Sequence, residues 1–252
     1  MKGSEKTMAK ERRLNASGDA PSGVSEKGGA HQSGKAAPSD GWVDPRVICF
    51  HEVRNEAVDY YQHFRAAIIT SGPAHQKVLM FASALPGEGR STTVANLAVV
   101  TARDLGSRLV IVDCDLRTPS THELFRVASE PGLSDVLAGK ATLESTLVPL
   151  PIPGVHFLPG GTPIVNAAEL LSSARTDEVL AALRERYDYV LLDAPAILPV
   201  LDASRLAPKA DGVVLVVRAW QTPRARVLRA LEMLEGARVL GFFLNGGEPT
   251  LR

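Results

Sequence analysis

Long apolar runs are the first feature that the sequence lacks. No stretch of the 252 residues reaches the roughly 18 consecutive apolar residues that a membrane-spanning helix needs. The opening segment MKGSEKTMAKERRLNASGDA carries basic residues without an apolar core, which is not the pattern of a secretory signal. We therefore expect no direct membrane span, so a partner would have to bring the chain to any membrane at which it works.

Neither sign of charge is in excess, and cysteine is scarce. Lys and Arg number 28, as do Asp and Glu, so the formal net charge is zero and no overall positive field favours nucleic acid. The two cysteines, Cys49 and Cys114, fit neither a metal-binding nor a CxxC pattern. We expect a reduced, cytoplasmic setting and no nucleic-acid partner.

What the chain does contain is enough apolar material for one core. Hydrophobic residues make up 45% of the sequence, which suits a single α/β domain. Residues 1–44 are rich in Gly, Ser, Ala, Lys and Pro and show no period, so they are predicted to be a disordered N-terminal arm, either a solvated leader or a tether. Residues 45–252 are predicted to form the domain.

Apolar strands alternate with helical patterns from residue 55 onward. The spacing of NEAVDYYQHFRAAII, residues 55–69, predicts an amphipathic helix. Strand patterns follow at KVLMFAS, RLVIVDCD, GVHFLPGG, DYVLLDAP, GVVLVVRAW and VLGFFLNG. Helices are predicted between them at STTVANLAVVTARDLG, NAAELLSSARTDEVLAALRERY and PRARVLRALEMLEGA. This order predicts a mostly parallel central sheet with helices on both faces.

The segment LPGEGRST, residues 85–92, has the pattern of a phosphate-binding loop between a strand and a helix. Glycines let the backbone approach a ligand closely, and the amides at the helix start face anionic oxygens. Ser91 is placed to ligate Mg²⁺, and Thr92 is placed to bond a phosphate. We predict nucleotide contacts from Gly87, Glu88, Gly89, Arg90, Ser91 and Thr92.

Two departures weaken this motif when it stands alone. Ala84 replaces its first glycine, and Arg90 replaces its lysine. Lysine is a compact ammonium, whereas arginine is a planar fork on a longer stem, so Arg90 can bind phosphate and still misplace the transferred group. The motif alone therefore does not decide whether the protein turns over a nucleoside triphosphate.

Aspartates stand at the ends of two apolar strands. Asp113 ends LVIVD, Asp115 follows two residues later, and Asp193 ends YVLLD. Because ligands bind beyond the carboxyl ends of parallel strands, all three should reach the edge that holds the loop. Carboxylates there can ligate Mg²⁺ or accept a proton from an attacking hydroxyl. The structural alternative is that Asp113 and Asp193 merely cap the turns that follow.

Three segments resemble motifs of one family. SALPGEGRSTTVANLA, VIVDCDLRTPSTHELF and VLLDAPA are similar to the nucleotide-binding motifs of the bacterial tyrosine kinases of capsule and exopolysaccharide biosynthesis, within the MinD/ParA-like P-loop NTPases. The similarity runs from about residue 59 to residue 246. It implies an α/β P-loop NTPase fold, ATP and Mg²⁺, and a cytoplasmic protein-tyrosine kinase that a membrane polysaccharide co-polymerase recruits to the inner face of the plasma membrane.

The resemblance also implies a role for each matched position. Ser91 would hold Mg²⁺, and Asp193 would act through a metal-bound water. Asp113 would act at the metal or as the base toward a tyrosine hydroxyl, with Asp115 in support. The catalytic set is then Asp113, Asp115, Asp193 and Arg90, and the metal set is Ser91, Asp113 and Asp193.

Two more positions are matched near the last two strands. The resemblance implies that Asn245 sits by the adenine and that Arg218 borders the base. On sequence grounds alone, a turn-capping Asn and a strand-end Arg in solvent explain them nearly as well.

The segment DYYQHFR departs from the family. The helical motif ExxRxxR, through which family members dock on one another, has Asp59 for its Glu and Gln62 for its first Arg, and only Arg65 remains. The segment leaves open both a homo-oligomer and a helix that merely packs on its own domain. The four tyrosines form no C-terminal cluster, so tail autophosphorylation of the usual kind is not expected.

Three functions remain open. The first is an active bacterial tyrosine kinase, and the second is a catalytically impaired partner subunit of the same machinery. A MinD/ParA-type ATPase is the weakest alternative, because those proteins carry an additional lysine where this chain has Ala84, Leu85 and Pro86.

Overall fold

A computed structural model of the chain describes residues 41, 43–70 and 77–247. Nearly all of the predicted N-terminal arm lies outside the described residues, so its disorder and its boundary stay predictions. The last two residues assigned to it do pack on the domain. Val43 is fully buried, and the amide of Asp44 donates a hydrogen bond to the carbonyl of Leu124 at 2.8 Å.

The centre of the fold is a mixed sheet that is parallel at every pairing except one. Its spatial order is β3-β4-β2-β5-β1-β6-β7, and only β3 runs antiparallel, against β4. The mostly parallel sheet predicted from the sequence is confirmed. The strands are β1 Val78–Ser83, β2 Leu109–Asp113, β3 Val148–Pro149, β4 Val155–Leu158, β5 Tyr189–Ala196, β6 Gly212–Arg218 and β7 Val239–Asn245.

Helices cover both faces of this sheet. The longer ones agree with the predicted segments to within one or two residues, except α10, which ends several residues early. The helices of four or five residues were not predicted, because so few residues show no helical period, whereas the six-residue helix Ala167–Ser172 lies within a predicted segment. The α-helices are α1 Ile48–His51, α2 Glu56–Thr70, α3 Arg90–Leu105, α4 Thr121–Phe125, α5 Leu133–Leu137, α6 Leu143–Thr146, α7 Ala167–Ser172, α8 Ala174–Arg186, α9 Asp202–Leu206 and α10 Arg224–Glu232.

Successive residues of β1 face two separate cores, which explains why its whole sequence is apolar. Val78 and Met80 belong to the core under α8 and α10, while Leu79 and Phe81 belong to the core under α2 and α3. All four are buried. A strand covered on both faces has no solvent side, so alternation with polar residues disappears.

The α2 helix packs on its own domain. Tyr61 stacks on Phe243 of β7 with ring centroids 5.3 Å apart, and Phe64 lies 4.7 Å from the same ring. Arg65, the residue kept from the family's docking motif, pairs with Asp104 at 3.2 Å. These contacts account for the helix without a second subunit, so the predicted homo-oligomer stays a prediction.

Candidate functional site

The turn between β1 and α3 requires glycine at two positions. Gly87 and Gly89 have φ angles of 78° and 85°, in the left-handed region that glycine enters freely. A Cβ atom on Gly89 would also lie 1.8 Å from Nδ2 of Asn245. The backbone of the loop therefore passes closely under the end of β7, as a strand-to-helix phosphate loop needs.

The start of α3 leaves amide groups for a ligand. The amide of Thr93 donates to the carbonyl of Gly89 at 2.9 Å and begins the helical hydrogen bonding. The preceding amides, of Arg90, Ser91 and Thr92, come before this first intrahelical bond. The positive end of a helix of 16 residues thus points at the cleft beside it.

This cleft has a volume of about 620 Å³ and contains most of the predicted site. Every predicted nucleotide contact borders it, as does Asp115, whereas the buried Asp113 and Asp193 lie behind its wall. The predicted contacts on its wall are Gly87, Glu88, Gly89, Arg90, Ser91, Thr92, Arg218 and Asn245.

Two predicted carboxylates are brought side by side by strand register. Asp113 of β2 and Asp193 of β5 are direct partners in the parallel ladder, and both are fully buried. Thr121 links them: its hydroxyl donates to Oδ2 of Asp193, and its amide donates to Oδ2 of Asp113 at 3.1 Å. The two acidic side chains thus share a neutral donor at the start of α4.

Burial of this pair perturbs Asp113. Loss of solvent, together with the negative charge of Asp193, raises the pKa of Asp113 to about 7. Amides of Asp115 and Thr121 oppose the rise by bonding the charged form. Burial and the neighbouring charge therefore favour the protonated carboxyl, whereas a bound cation would favour its charged form.

The predicted capping alternative is also true of Asp113, and Asp115 caps a turn as well, whereas Asp193 accepts from the side chains of Arg90 and Thr121. Asp113 accepts hydrogen bonds from the amides of Asp115 and Ser120, each at 3.1 Å. Asp115 accepts from the amide and the hydroxyl of Thr118, both at 3.2 Å. Turn capping and a place at the cleft coexist, because each carboxylate has several acceptor positions.

Arg90 closes the acidic side of the cleft. Its Nε atom donates to Oδ1 of Asp193 at 2.9 Å, and one terminal nitrogen, Nη2, lies 3.6 Å from Oδ2 of Asp115. The other terminal nitrogen, Nη1, is buried without a hydrogen-bond partner. The guanidinium thus neutralises part of the acidic cluster and keeps one buried donor unpaired.

Arg218 and Asn245 contact the loop itself. Nδ2 of Asn245 donates to the carbonyl of Glu88 at 2.9 Å, and a terminal nitrogen of Arg218 donates to the carbonyl of Gly87 at 3.4 Å. Both side chains are half-buried on the cleft wall. Neither is a strand-end residue left in solvent.

Three residues that support the site lay outside the sequence prediction. Thr121 bridges the two aspartates, and Thr222 donates a hydrogen bond to Glu88. Asp202, almost fully buried, pairs with Arg117 through two hydrogen bonds of 2.6 and 3.1 Å. Thr121 lies 72 positions from Asp193, Arg117 lies 85 from Asp202, and Glu88 lies 134 from Thr222, so no local pattern marks these contacts.

A metal ion in this cleft would need further ligands besides the protein side chains. Across residues 41, 43–70 and 77–247, no group of three or more His, Cys, Asp or Glu side chains could hold a metal ion. Ser91 offers a hydroxyl, and Asp113 and Asp193 offer carboxylates. Mg²⁺ commonly takes one or two carboxylates and completes its shell with phosphate oxygens and water, so the donor set fits Mg²⁺ bound together with a nucleotide.

Comparison with known proteins identifies relatives over most of the chain. The AAA domain family profile matches residues 76–228. Tyrosine-protein kinase YwqD of Bacillus subtilis is 36% identical over 203 residues, which is 79% of this chain and 85% of the relative. Tyrosine-protein kinase CpsD of Streptococcus agalactiae is 32% identical over 190 residues, 74% of this chain and 82% of the relative. Tyrosine-protein kinase wzc of Salmonella typhimurium is 36% identical over 174 residues, or 68% of this chain, but this match spans only 24% of wzc.

Comparison with solved structures finds domains of similar fold. The kinase domain of Escherichia coli tyrosine kinase ETK superposes with a TM-score of 0.77 at 27% identity, covering 82% of each chain. The chimerical protein CapA2B2 gives 0.76 at 28% identity, covering 80% of this chain and 89% of the other. MinD from Pyrococcus horikoshii, complexed with Mg-ADP, superposes with a TM-score of 0.56 at 27% identity, covering 67% of this chain and 69% of the other.

Proposed function

Because this chain belongs to the AAA domain family and to the bacterial tyrosine kinases, we propose that it is an ATP-dependent protein-tyrosine kinase of capsule or exopolysaccharide synthesis. The observation that carries the proposal is that residues 86–92 border a cleft next to the buried pair Asp113 and Asp193, which Arg90 contacts at 2.9 Å. Phosphoryl transfer needs both parts, because it depends on positioning and on electrostatic stabilisation.

The nucleotide phosphates would lie across the N-terminus of α3. The early amides of that helix support this placement, as do two unpaired cationic atoms. Nη1 of Arg90 and Nε of Arg218 are buried without hydrogen-bond partners, and both residues border the cleft. An anionic ligand would supply the acceptors that these donors lack. The base would then lie toward Arg218 and Asn245.

Magnesium would be held by the hydroxyl of Ser91 and, directly or through water, by Asp113 and Asp193. When bound, the ion would neutralise charge on the phosphate oxygens. The residues of the chain contribute the rest. They fix two carboxylates at the strand ends. Arg90 would have to release its 2.9 Å contact with Asp193 to make room for Mg²⁺.

Burial distinguishes the aspartate that ends β2 from the aspartate two residues later. Asp113 has no exposed surface, whereas the side chain of Asp115 is 18% exposed and borders the cleft. A general base must come within hydrogen-bond reach of the proton that it accepts. We therefore assign acceptance of the tyrosine hydroxyl proton to Asp115, while Asp113 holds the metal side of the site.

One observation favours the impaired partner subunit as a second candidate. The ion pairs of Arg90 with Asp193 and Asp115 occupy the space where a metal would enter. If Arg90 does not leave, the cleft keeps the shape of a nucleotide site without its chemistry. The MinD-type alternative has less support, since the TM-score to MinD is 0.56 against 0.77 for the ETK kinase domain.

Calorimetric titration with Mg-ATP and Mg-ADP tests the nucleotide site, followed by detection of phosphotyrosine on a tyrosine-containing copolymer. Asp113→Ala should abolish metal-dependent binding. Asp177→Ala is the matched control, because Asp177 pairs with Lys209 away from the cleft. Binding with turnover supports the kinase. Binding without turnover supports the impaired subunit, and the absence of binding in the wild-type protein contradicts ATP use.

We also propose that a membrane polysaccharide co-polymerase recruits this chain to the inner face of the plasma membrane. Among the described residues, no helix combines the length and apolar character that crossing a bilayer requires. The relative wzc is about four times longer than the part that this chain matches. Co-purification with a candidate co-polymerase from detergent-solubilised membranes tests the partnership, and consistent failure of the two to associate contradicts it.

A further inference from the structure

A buried carboxylate lies inside the loop that would receive phosphates. Glu88 is 3% exposed, although it stands between the two left-handed glycines of the turn. A negative charge at this position would repel a phosphate if it faced the cleft. Instead, Oε2 of Glu88 accepts the amide of Leu85 at 2.9 Å, and Oε1 accepts the hydroxyl of Thr222. The carboxylate therefore braces the loop.

The other end of this brace lies in the turn after β6. The hydroxyl of Thr222 donates to Glu88 and also accepts the amide of Arg218 at 3.2 Å. In the same turn, the amide of Thr222 donates to the carbonyl of Arg218 at 3.0 Å. One hydroxyl thus connects the phosphate loop to the backbone of Arg218.

Further contacts join the same two regions. Arg218 donates to the carbonyl of Gly87, and Asn245 donates to the carbonyl of Glu88. Both donors come from the wall where the base would lie. Trp220, between Arg218 and Thr222, has a φ of 61° and is 94% exposed. A bulky residue in this conformation persists only where its surroundings fix the turn, and Thr222 is part of what fixes it.

We propose that Glu88 and Thr222 are positioning residues that couple the base side of the cleft to the phosphate loop. This inference rests on the proposed nucleotide-binding function. A base held by Arg218 and Asn245 would rest on the turn of residues 218–222, and the bond between Thr222 and Glu88 fixes residues 85–89 relative to that turn. The site would then bind a nucleotide more tightly than its phosphate groups alone explain.

Thr222→Val tests the coupling, because valine keeps the shape of threonine and removes the hydroxyl. It leaves Oε1 of Glu88 and the amide of Arg218 without their partner. We expect the affinity for Mg-ADP to fall about tenfold or more, as for other unsatisfied buried groups. The affinity for Mg-tripolyphosphate, which has no base, should fall by less than about threefold. Thr222→Ser retains the hydroxyl and should restore the wild-type ratio of the two affinities.

The measurement is calorimetric titration of the full chain with Mg-ADP and with Mg-tripolyphosphate, so it needs no turnover. Glu88→Gln is a second variant of similar volume. It replaces one carboxylate oxygen by an amide nitrogen, either where Oε2 accepts the amide of Leu85 or where Oε1 accepts the hydroxyl of Thr222. Glu88→Gln should also lower the ratio of the affinity for Mg-ADP to the affinity for Mg-tripolyphosphate. Equal losses for both ligands in these variants, or unchanged affinities, would overturn the coupling while the nucleotide site stands. Failure of the wild-type protein to bind Mg-ADP would overturn the proposed function itself.

Discussion

The Nε atom of Arg90 donates a hydrogen bond to Oδ1 of Asp193 at 2.9 Å. This contact joins the first residue of α3 to a buried carboxylate of β5, 103 positions later. The arginine stands where a phosphate loop has its lysine, and its planar fork reaches Asp193 and Asp115. If Asp193 holds Mg²⁺ as proposed, this bond would have to open before the metal binds.

Arg90→Lys should raise phosphoryl transfer. A lysine ammonium lacks the second donor that reaches toward Asp115, so the aspartates are freer to bind Mg²⁺, and the point charge fits between phosphates. We expect an increase of about tenfold, which corresponds to about 1.4 kcal/mol of transition-state stabilisation. Initial rates of phosphotyrosine formation at saturating Mg-ATP measure it.

Arg184→Lys serves as the control for this substitution. Arg184 pairs with Asp211 at 2.7 Å, away from the cleft. Its replacement should leave the rate of phosphoryl transfer unchanged. If Arg90→Lys is as slow as the wild-type protein with the co-polymerase present, the arginine is not what limits turnover.

The raised pKa of Asp113 makes the metal-free protein less stable as pH rises. Folding shifts this pKa upward from 3.8 to about 7, so between these values the folded state binds a proton that the unfolded state has lost. The contribution of this group to the free energy of unfolding therefore decreases from about pH 4 to about pH 7 and is constant above it. Asp113→Asn should remove this dependence.

Urea unfolding of both proteins at pH 5 and pH 8, with a chelator present, measures the difference. The wild-type protein should lose more stability between these pH values than Asp113→Asn does. Parallel behaviour of the two proteins would show that Asp113 is ionised throughout, and the pairing with Asp193 would then need another explanation.

The sheet and its long helices could be predicted because their signals are local. Apolar runs such as VLMFAS and the helical spacing of α3 depend only on neighbouring residues. The short helices α4 and α9 gave no such signal, yet α4 brings Thr121 to the two aspartates and α9 brings Asp202 to Arg117. Their positions depend on contacts across the fold, which one sequence does not display.

The candidate site shows the same difference between local signals, which could be predicted, and contacts across the fold, which could not. Strand ends and glycines located the loop and the aspartates correctly, because parallel strands bring their carboxyl ends to one edge. The direction of each side chain could not be predicted. Glu88 falls within the phosphate motif, but its carboxylate turns to Thr222, and Arg90 turns to Asp193. Side-chain partners far apart in sequence decide both cases.

Arg117→Leu should destabilise the fold by about 1–3 kcal/mol, because it leaves the carboxylate of Asp202 buried without its two donors. The estimate is below that for a fully buried pair, since a third of the Arg117 side chain is exposed. Urea unfolding measures the change. Arg117→Leu combined with Asp202→Leu should recover part of the loss, and a double variant less stable than both single ones would contradict a paired role.

Gly89→Ala should abolish nucleotide binding and destabilise the fold. A methyl group there meets Nδ2 of Asn245 at 1.8 Å, and the φ of 85° disfavours any L side chain. Gly139→Ala separates these effects, because Gly139 has a φ of 72° with nothing within 4 Å of its added Cβ atom. We expect the control to lose about 1–2 kcal/mol and to keep its affinity for Mg-ADP. Calorimetric titration and urea unfolding of both variants measure the two effects. Retention of Mg-ADP binding by Gly89→Ala would mean that Asn245 can move away without cost, and that the close packing of the loop under β7 does not shape the site.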